Sequence, residues 1–184
     1  MVNIFEPLKD LQGNQLKSAS WYRNAASLIT DRATQSKLMR DGKVNGRPSA
    51  GRMSMFAYDP LTKSRLPYYD IFPLVLPLET ISRGFLGLNL HYLPYGIRYK
   101  LIEELQSYAS NSRFDSTTKI QANYSSLKGV SIIKPAVKKY LWRQCRSNFL
   151  RIDADEMAIA AMLPVANFKG ASLGKVFRDS RSMI

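Results

Sequence analysis

Apolar residues recur along this chain in two periods, one typical of strands and one typical of helices. The segments 53–58, 71–78 and 85–92 are dense in β-forming and aromatic residues, which predicts three short strands. Two prolines within 71–78 indicate an edge strand there, because proline cannot donate to a sheet ladder. The intervening residues 79–84 are expected to form the connection of a hairpin.

Helical spacing of apolar residues appears in four further segments, namely 24–39, 94–108, 153–162 and 176–183. Pro94 suits the first turn of the second of these helices. Asp153 and Glu156, three residues apart, resemble a capping box at the start of the third. The polar residues 111–128 are expected to form turns.

The segment 135–150 is predicted to be a helix with one apolar and one basic face. At about 100° per residue, its apolar face would carry Val137, Tyr140, Leu141 and Cys145. Its opposite face would carry Lys139, Arg143 and Arg146, with Lys134 and Lys138 nearby. Such a row suits either the phosphates of a nucleic acid or an acidic protein surface, and both alternatives stay open.

Together these elements predict an α+β fold, a small antiparallel sheet or hairpin packed by three to four helices. A single compact domain is expected over 53–184, preceded by an extended basic N-terminal arm with a short helix over 1–52. The end of this arm, 40–52, contains three glycines, one proline and the basic residues Arg40, Lys43, Arg47 and Arg52. Because such a composition buries little apolar surface, we expect a loop that is either solvated or ordered on a partner.

The net charge of +13 is unevenly placed. Residues 1–57 hold nine basic and four acidic residues, and residues 128–151 hold seven basic residues and no acidic one. The segments 58–110 and 152–184 each sum to zero. Clustered positive charge of this kind predicts a polyanion or an acidic protein surface as partner.

Residue types that support catalysis or metal binding are sparse. The one cysteine, Cys145, excludes an internal disulfide and a cysteine-based zinc site, and the one histidine, His91, lacks a second zinc ligand. The acidic residues do not form the carboxylate cluster that a magnesium-dependent nuclease needs. We therefore expect no enzyme activity, no cofactor and no small-molecule substrate.

Membrane contact is not expected either. The longest nearly uncharged run, 71–78, falls far short of the ~20 apolar residues of a membrane span. The first residues lack the basic-then-apolar pattern of a secretory signal, so we expect the chain to be used where it is made.

Several distinctive patches lie within about 47–184. They read LPYYDIFPLV at 66–75, GFLGLNLHYLP at 84–94, KPAVKKYL at 134–141, RSNFL at 146–150, AMLP at 161–164 and FRDSRSMI at 177–184. In these patches the chain resembles a family of small virion proteins of contractile-tailed bacteriophages related to the T-even group. The resemblance implies a structural or assembly protein of the virion, made in the host bacterial cytoplasm, and it names no catalytic residues.

The leading hypothesis is a non-enzymatic component of the phage tail or baseplate that binds neighbouring virion proteins through its basic arm and basic helix. The alternative is a DNA-end-binding protein that protects the packaged genome. Either partner would be bound by Arg40, Lys43, Arg47, Arg52, Lys134, Lys138, Lys139, Arg143 and Arg146. The aromatic block 66–94 is interpreted as scaffold, and no stacking aromatic residues are recognised among the basic ones.

Overall fold

The computed structural model describes residues 4–13, 15–49, 51–109 and 131–182, and a six-stranded antiparallel sheet forms its centre. The strands are β1 (Val44–Asn45), β2 (Met53–Met55), β3 (Tyr69–Asp70), β4 (Leu74–Ile81), β5 (Gly84–Asn89), β6 (Val137–Leu141), β7 (Phe149–Ile152) and β8 (Phe168–Lys169). The spatial order of the main sheet is β1-β7-β2-β4-β5-β6, and β3 pairs with β8 separately.

Six α-helices and four 3-10 turns accompany the strands in the described parts of the chain. The helices are α1 (Glu6–Gln12), α2 (Ala19–Leu28), α3 (Gln35–Asp41), α4 (Tyr95–Ala109), α5 (Met157–Met162) and α6 (Leu173–Ser182). The 3-10 turns are Lys63–Arg65, Leu90–Tyr92, Ser131–Ala136 and Trp142–Gln144. The predicted α+β class is confirmed.

One face of the main sheet forms the larger core with the helices. Met53, Leu74 and Leu88 point into this core and are fully buried. Helix α5, with the sequence MAIAAM, is buried along its whole length and packs against α2 and α4. Its small alanines let these neighbouring helices approach closely, so α5 lies in the middle of the helical layer.

The other face of the sheet carries a separate aromatic cluster. Its buried members are Phe56, Tyr58, Val75, Phe85, Tyr140 and Phe149. Edge-to-face and offset pairs dominate it: the ring centroids of Phe56 and Phe149 are 4.7 Å apart, and those of Phe85 and Tyr140 are 5.2 Å apart. This second, smaller core joins strand β6 to the centre of the sheet.

The residues before the sheet fold into three helices whose apolar side chains enter the larger core. The single helix predicted over 24–39 is wrong in extent, because α2 ends at Leu28 and α3 begins at Gln35. Thr34 begins the second helix as its N-cap, accepting a hydrogen bond from the backbone N–H of Lys37 at 3.4 Å. The division of the chain at residue 52 stays a prediction.

The segment predicted as an edge strand, 71–78, contributes instead to a central strand. Strand β4 pairs with β2 on one side and with β5 on the other. The register between β4 and β5 shifts between Pro77 and Glu79, which indicates a β-bulge. Because a bulge interrupts the hydrogen-bond ladder, the strand accommodates a proline there, although proline has no backbone N–H to donate.

The helix predicted over 135–150 is wrong. This segment forms β6, the Trp142–Gln144 turn and the start of β7. Strand β5 offers a free ladder to this segment, on which Phe85 pairs with Tyr140 and Leu86 with Lys139. Tertiary pairing overrides the helical spacing here.

Other predicted elements are confirmed. The hairpin between β4 and β5 is formed, although its connection is shorter than the predicted 79–84, because β4 continues to Ile81 and β5 begins at Gly84. Helix α4 begins directly after Pro94. The capping pair is formed: the backbone N–H of Asp153 donates to Glu156 Oε2 at 2.9 Å just before α5. The turns predicted over 111–128 lie outside the described residues. No helix in the described part of the chain is long and apolar enough to cross a membrane.

Arg98 of α4 is fully buried and ties three elements together. Its guanidinium donates hydrogen bonds to the carbonyl oxygens of Leu93 (2.7 Å), Ala161 (3.0 Å) and His91 (3.2 Å). It also lies 4.4 Å from the centroid of the Tyr95 ring. Burial lowers the pKa of Arg98 to about 10. We infer a structural role, because every contact is internal.

Candidate nucleic-acid interface

A cleft of about 530 Å³ lies beside the edge strand β6. Five tyrosines and two lysines line it: Tyr58, Tyr68, Tyr69, Tyr92, Tyr140, Lys138 and Lys139. We call it the tyrosine cleft. Pro60, Leu61, Leu66 and Pro67 complete its walls, and Asp70 and Asn89 contribute polar atoms.

Several elements bring these residues together. Strand β6 supplies both lysines and Tyr140, β3 supplies Tyr69, and the 3-10 turn after β5 supplies Tyr92. Tyr58 follows β2, and its hydroxyl accepts a hydrogen bond from the backbone N–H of Leu141 at 3.1 Å. That bond fixes the end of β6 against the loop that forms the opposite wall.

The tyrosines divide into a buried floor and a half-exposed wall. Tyr58, Tyr92 and Tyr140 are each less than 10% exposed, and Tyr58 meets Tyr140 edge to face at 4.9 Å. Tyr68 and Tyr69 are half-buried and present ring surface to the cleft. Planar, partly exposed rings of this kind are the surfaces on which nucleic-acid bases stack.

The two lysines differ in environment. The ammonium of Lys138 lies 4.1 Å from the centroid of the Tyr92 ring, a cation–π arrangement. Burial lowers the pKa of Lys138. Lys139 points to solvent. Neither lysine forms an ion pair with another residue that the structure describes, so both are available to an anion.

A buried polar network supports the floor of the cleft. The Asp70 carboxylate accepts hydrogen bonds from Asn89 Nδ2 at 3.1 Å and from the backbone N–H of Phe72 at 3.0 Å. His91 Nδ1 lies 2.7 Å from Asp70 Oδ2, and the His91 ring is fully buried. Burial lowers the pKa of His91, so the ring is held neutral. These contacts fix β3 and Tyr92 relative to each other.

The nine predicted binding residues do not form one surface. Arg40, Lys43 and Arg47 lie in or next to the β1 edge of the sheet, and Arg52 directly precedes the inner strand β2. Lys134, Lys138 and Lys139 lie at the β6 edge. Five strand spacings of ~4.8 Å separate these edges by roughly 24 Å. Arg143 and Arg146 belong to the connection between β6 and β7, so the predicted row Lys139, Arg143, Arg146 does not exist.

Three of the nine residues are engaged in ion pairs. Arg40 pairs with Asp41 at 2.7 Å, Lys43 pairs with Asp153, and Arg146 pairs with Asp59 at 3.3 Å. Within the described ranges, the other six form no ion pair: Arg47, Arg52, Lys134, Lys138, Lys139 and Arg143. Lys138 and Lys139 alone among the nine line the tyrosine cleft.

The sequence interpretation did not name the tyrosines as candidate binding residues. It interpreted the 66–94 block as scaffold and recognised no stacking aromatics among the basic residues. In the structure, Tyr68, Tyr69 and Tyr92 of that block line the same cleft as Lys138 and Lys139. Residues 137–141 read VKKYL and do not alternate between apolar and polar, so no local pattern placed β6 beside β5.

A protein-family comparison adds an independent finding. The model of the family described as phage T4 terminal DNA protecting protein matches residues 7–182, almost the whole chain. The chain belongs to this family. No curated protein and no solved structure gives a significant match.

Membership in the terminal DNA protecting family identifies a bacteriophage protein of the virion and confirms the T-even-like resemblance. It also bears on the two functional hypotheses. The tail or baseplate interpretation has no support from this comparison, whereas the alternative, protection of DNA ends, agrees with the family description. Nothing in that description names an enzyme activity. The described residues contain no group of three or more histidine, cysteine, aspartate and glutamate residues placed to hold a metal ion.

Proposed function

We propose that this protein binds the ends of double-stranded phage DNA and shields them from exonucleases, without catalysis of its own. The observation that carries the proposal is the tyrosine cleft, where two lysines that form no ion pair with any described residue adjoin half-exposed aromatic rings. The match to the terminal DNA protecting family supports it.

The chemistry of the cleft suits DNA better than it suits an acidic protein. Lysine ammonium groups neutralise phosphates and release counterions, which gives salt-sensitive affinity. Tyrosine rings add sequence-tolerant contacts to bases. A protein that must protect any genome end needs both properties, since it recognises an end and not a sequence.

The basic residues Arg47 and Arg52 are proposed to serve a second contact. Arg47 and Arg52 are exposed and form no ion pair with another described residue. Arg47 follows the edge strand β1, and Arg52 directly precedes β2. We assign them to a neighbouring virion protein or to flanking phosphates. Lys134 and Arg143 are assigned to DNA phosphates beyond the cleft.

An exonuclease-protection assay tests the main proposal. Linear duplex DNA is incubated with the protein and then with a processive double-strand exonuclease, with circular DNA as competitor. We expect protection that circular DNA fails to compete away. The double variant Lys138→Gln/Lys139→Gln should lose protection, whereas Lys37→Gln/Lys100→Gln, with the same loss of charge outside the cleft, should keep it.

Two outcomes would overturn the proposal. If circular DNA competes as well as linear DNA does, the protein has no preference for ends. If the two double variants lose protection equally, the cleft is not the DNA-binding site. Circular dichroism of each variant confirms that the fold is retained.

A further inference from the structure

We infer that the tyrosine cleft receives unpaired nucleotides at the DNA terminus, with a base stacked on Tyr69 and its phosphate beside Lys138 and Lys139. This inference rests on the proposed end-binding function and deepens it, because it names the ligand as single-stranded terminal nucleotides and not the blunt face of a duplex.

The size of the cleft favours this ligand. A volume of about 530 Å³ falls within the ~300–1,000 Å³ typical of small-molecule sites, which suits one or two nucleotides. A continuous duplex cannot enter such a space. The bases of a duplex are also covered on both faces by their neighbours, whereas unpaired terminal bases expose their faces to aromatic side chains.

The wall tyrosines are arranged to offer a stacking surface. The Tyr68 ring is held in place by Tyr92 and Phe168, each with its centroid 6.1 Å away. The Tyr69 ring pairs with no other aromatic ring among the described residues and is half-buried. Tyr69 therefore keeps ring surface that an incoming base can cover.

Charge within the cleft orients the nucleotide. Lys138 holds its ammonium over Tyr92, half-buried and without a carboxylate partner in the described structure. A phosphate placed there would supply the missing counter-charge. The Asp70 carboxylate at the floor is already bonded to His91 and Asn89, and it repels phosphate. The phosphate is thus expected at the β6 side and the base at the β3 side.

Binding to a matched set of DNA ends tests the inference. Each DNA is a short duplex closed by a hairpin at one end, and the other end is blunt, carries a two-nucleotide overhang, or carries an overhang of two abasic nucleotides. Overhangs of both polarities are used. Since each stacked base contributes ~1–3 kcal/mol, the overhang with bases should bind at least about 5-fold more tightly than the abasic one.

Two variants test whether the tighter binding of the overhang with bases, relative to the abasic overhang, depends on the cleft. Tyr69→Leu should bring the overhang and abasic affinities together. Tyr99→Leu, the same substitution at a half-buried tyrosine outside the cleft, should leave the advantage intact. As a measurement that needs no variant, 2-aminopurine in the overhang should lose fluorescence on binding to the native protein, because stacking quenches it.

The results separate the inference from the function on which it rests. Equal affinity for the overhang with bases and the abasic overhang, or no quenching, overturns the inference even if ends are still protected. That result is also expected if a segment of a neighbouring virion protein occupies the cleft. Equal affinity for DNA ends and circular DNA overturns the proposed function itself.

Discussion

The ammonium of Lys138 lies 4.1 Å from the centroid of the Tyr92 ring, so the basic strand β6 and the aromatic block 66–94 share one surface. In the sequence the two lie in segments that differ in net charge, since the segment that contains β6 is basic and the one that contains the aromatic block is neutral. Their contact depends on the pairing of β5 with β6, which places Lys138 opposite Gly87 on the edge of the sheet. A change at Lys138 would therefore disturb the cleft as well as its charge.

Lys139 offers a cleaner test of phosphate contact because its side chain is exposed. If it neutralises one phosphate, Lys139→Gln should reduce the slope of log Kobs against log salt concentration by about 0.9 and weaken binding similarly on all DNA sequences. Fluorescence anisotropy across a salt series measures this slope. Lys100→Gln is the matched control, and an unchanged slope for Lys139→Gln would remove this lysine from the interface.

Gly84 marks the place where β5 and β6 approach most closely. A Cβ atom at Gly84 would lie 1.8 Å from the carbonyl oxygen of Tyr140, a backbone atom that cannot move aside without breaking the ladder. We expect Gly84→Ala to lower the free energy of unfolding by about 2–3 kcal/mol and to weaken DNA binding, since β6 carries the lysines. Urea unfolding measures the stability change.

Gly96 provides the control for that substitution. It lies in α4, and a Cβ atom there would meet no atom within 4 Å. Gly96→Ala should therefore be neutral or stabilise the protein by up to about 1 kcal/mol. Equal stability of the two alanine variants would contradict the close approach of β5 and β6.

Local patterns were sufficient to predict part of this fold. The β4–β5 hairpin and α4 have strong local signals, in particular the aromatic strand pattern and Pro94 before a helical period. The pair Asp153 and Glu156 likewise predicted a helix here, although α5 begins after the pair, at Met157. In each case the residues that decide the structure are close neighbours in the sequence.

Strand β6 was missed because its decisive partner is distant in the sequence. Within 135–150, apolar residues fit a helix as well as a strand, and the free ladder of β5 decides between them. The tyrosine cleft was missed for the same reason, since Tyr69 and Lys139 meet only after β3 and β6 are placed. Charge content predicted an anionic partner, which agrees with the family description, but it could not indicate where such a partner would bind.

The buried pair of His91 and Asp70 predicts a pH-dependent stability. His91 Nε2 has no hydrogen-bond partner within the described structure, so a proton added there would be unsatisfied. Burial holds the pKa of His91 below its ordinary value of 6.5. Below pH ~6.5 the unfolded chain therefore binds a proton that the folded protein rejects, and the free energy of unfolding should fall as pH decreases from 7 toward 5.

Urea unfolding at a series of pH values measures this loss of stability. His91→Gln removes the titrating group and should flatten the profile between pH 7 and 5. Because His91 is the one histidine of the chain, its imidazole signal in NMR can be followed without ambiguity. An imidazole in the folded protein that titrates at or above pH 6.5 would contradict the prediction.

The N-terminal helices are expected to unfold together with the sheet. Tyr22 of α2 is fully buried in the same core cluster as Leu74 and Leu88, so the two parts share one hydrophobic interior. Trp21 and Trp142, the two tryptophans of the chain, report on the N-terminal helices and on the β6–β7 connection respectively. Replacing either one by phenylalanine leaves the other as a single fluorescent probe.

The two single-tryptophan proteins should show coincident urea transitions. Tyr22→Ala, introduced into each of them, should lower both midpoints by an amount that corresponds to about 3–5 kcal/mol, because it leaves a large cavity in the shared core. Tyr22→Phe is the control, since it keeps the ring and removes only the hydroxyl, which accepts a hydrogen bond from the backbone N–H of Lys17 at 3.2 Å. Separate transitions, with Tyr22→Ala shifting only the Trp21 signal, would instead support a division of the chain at residue 52.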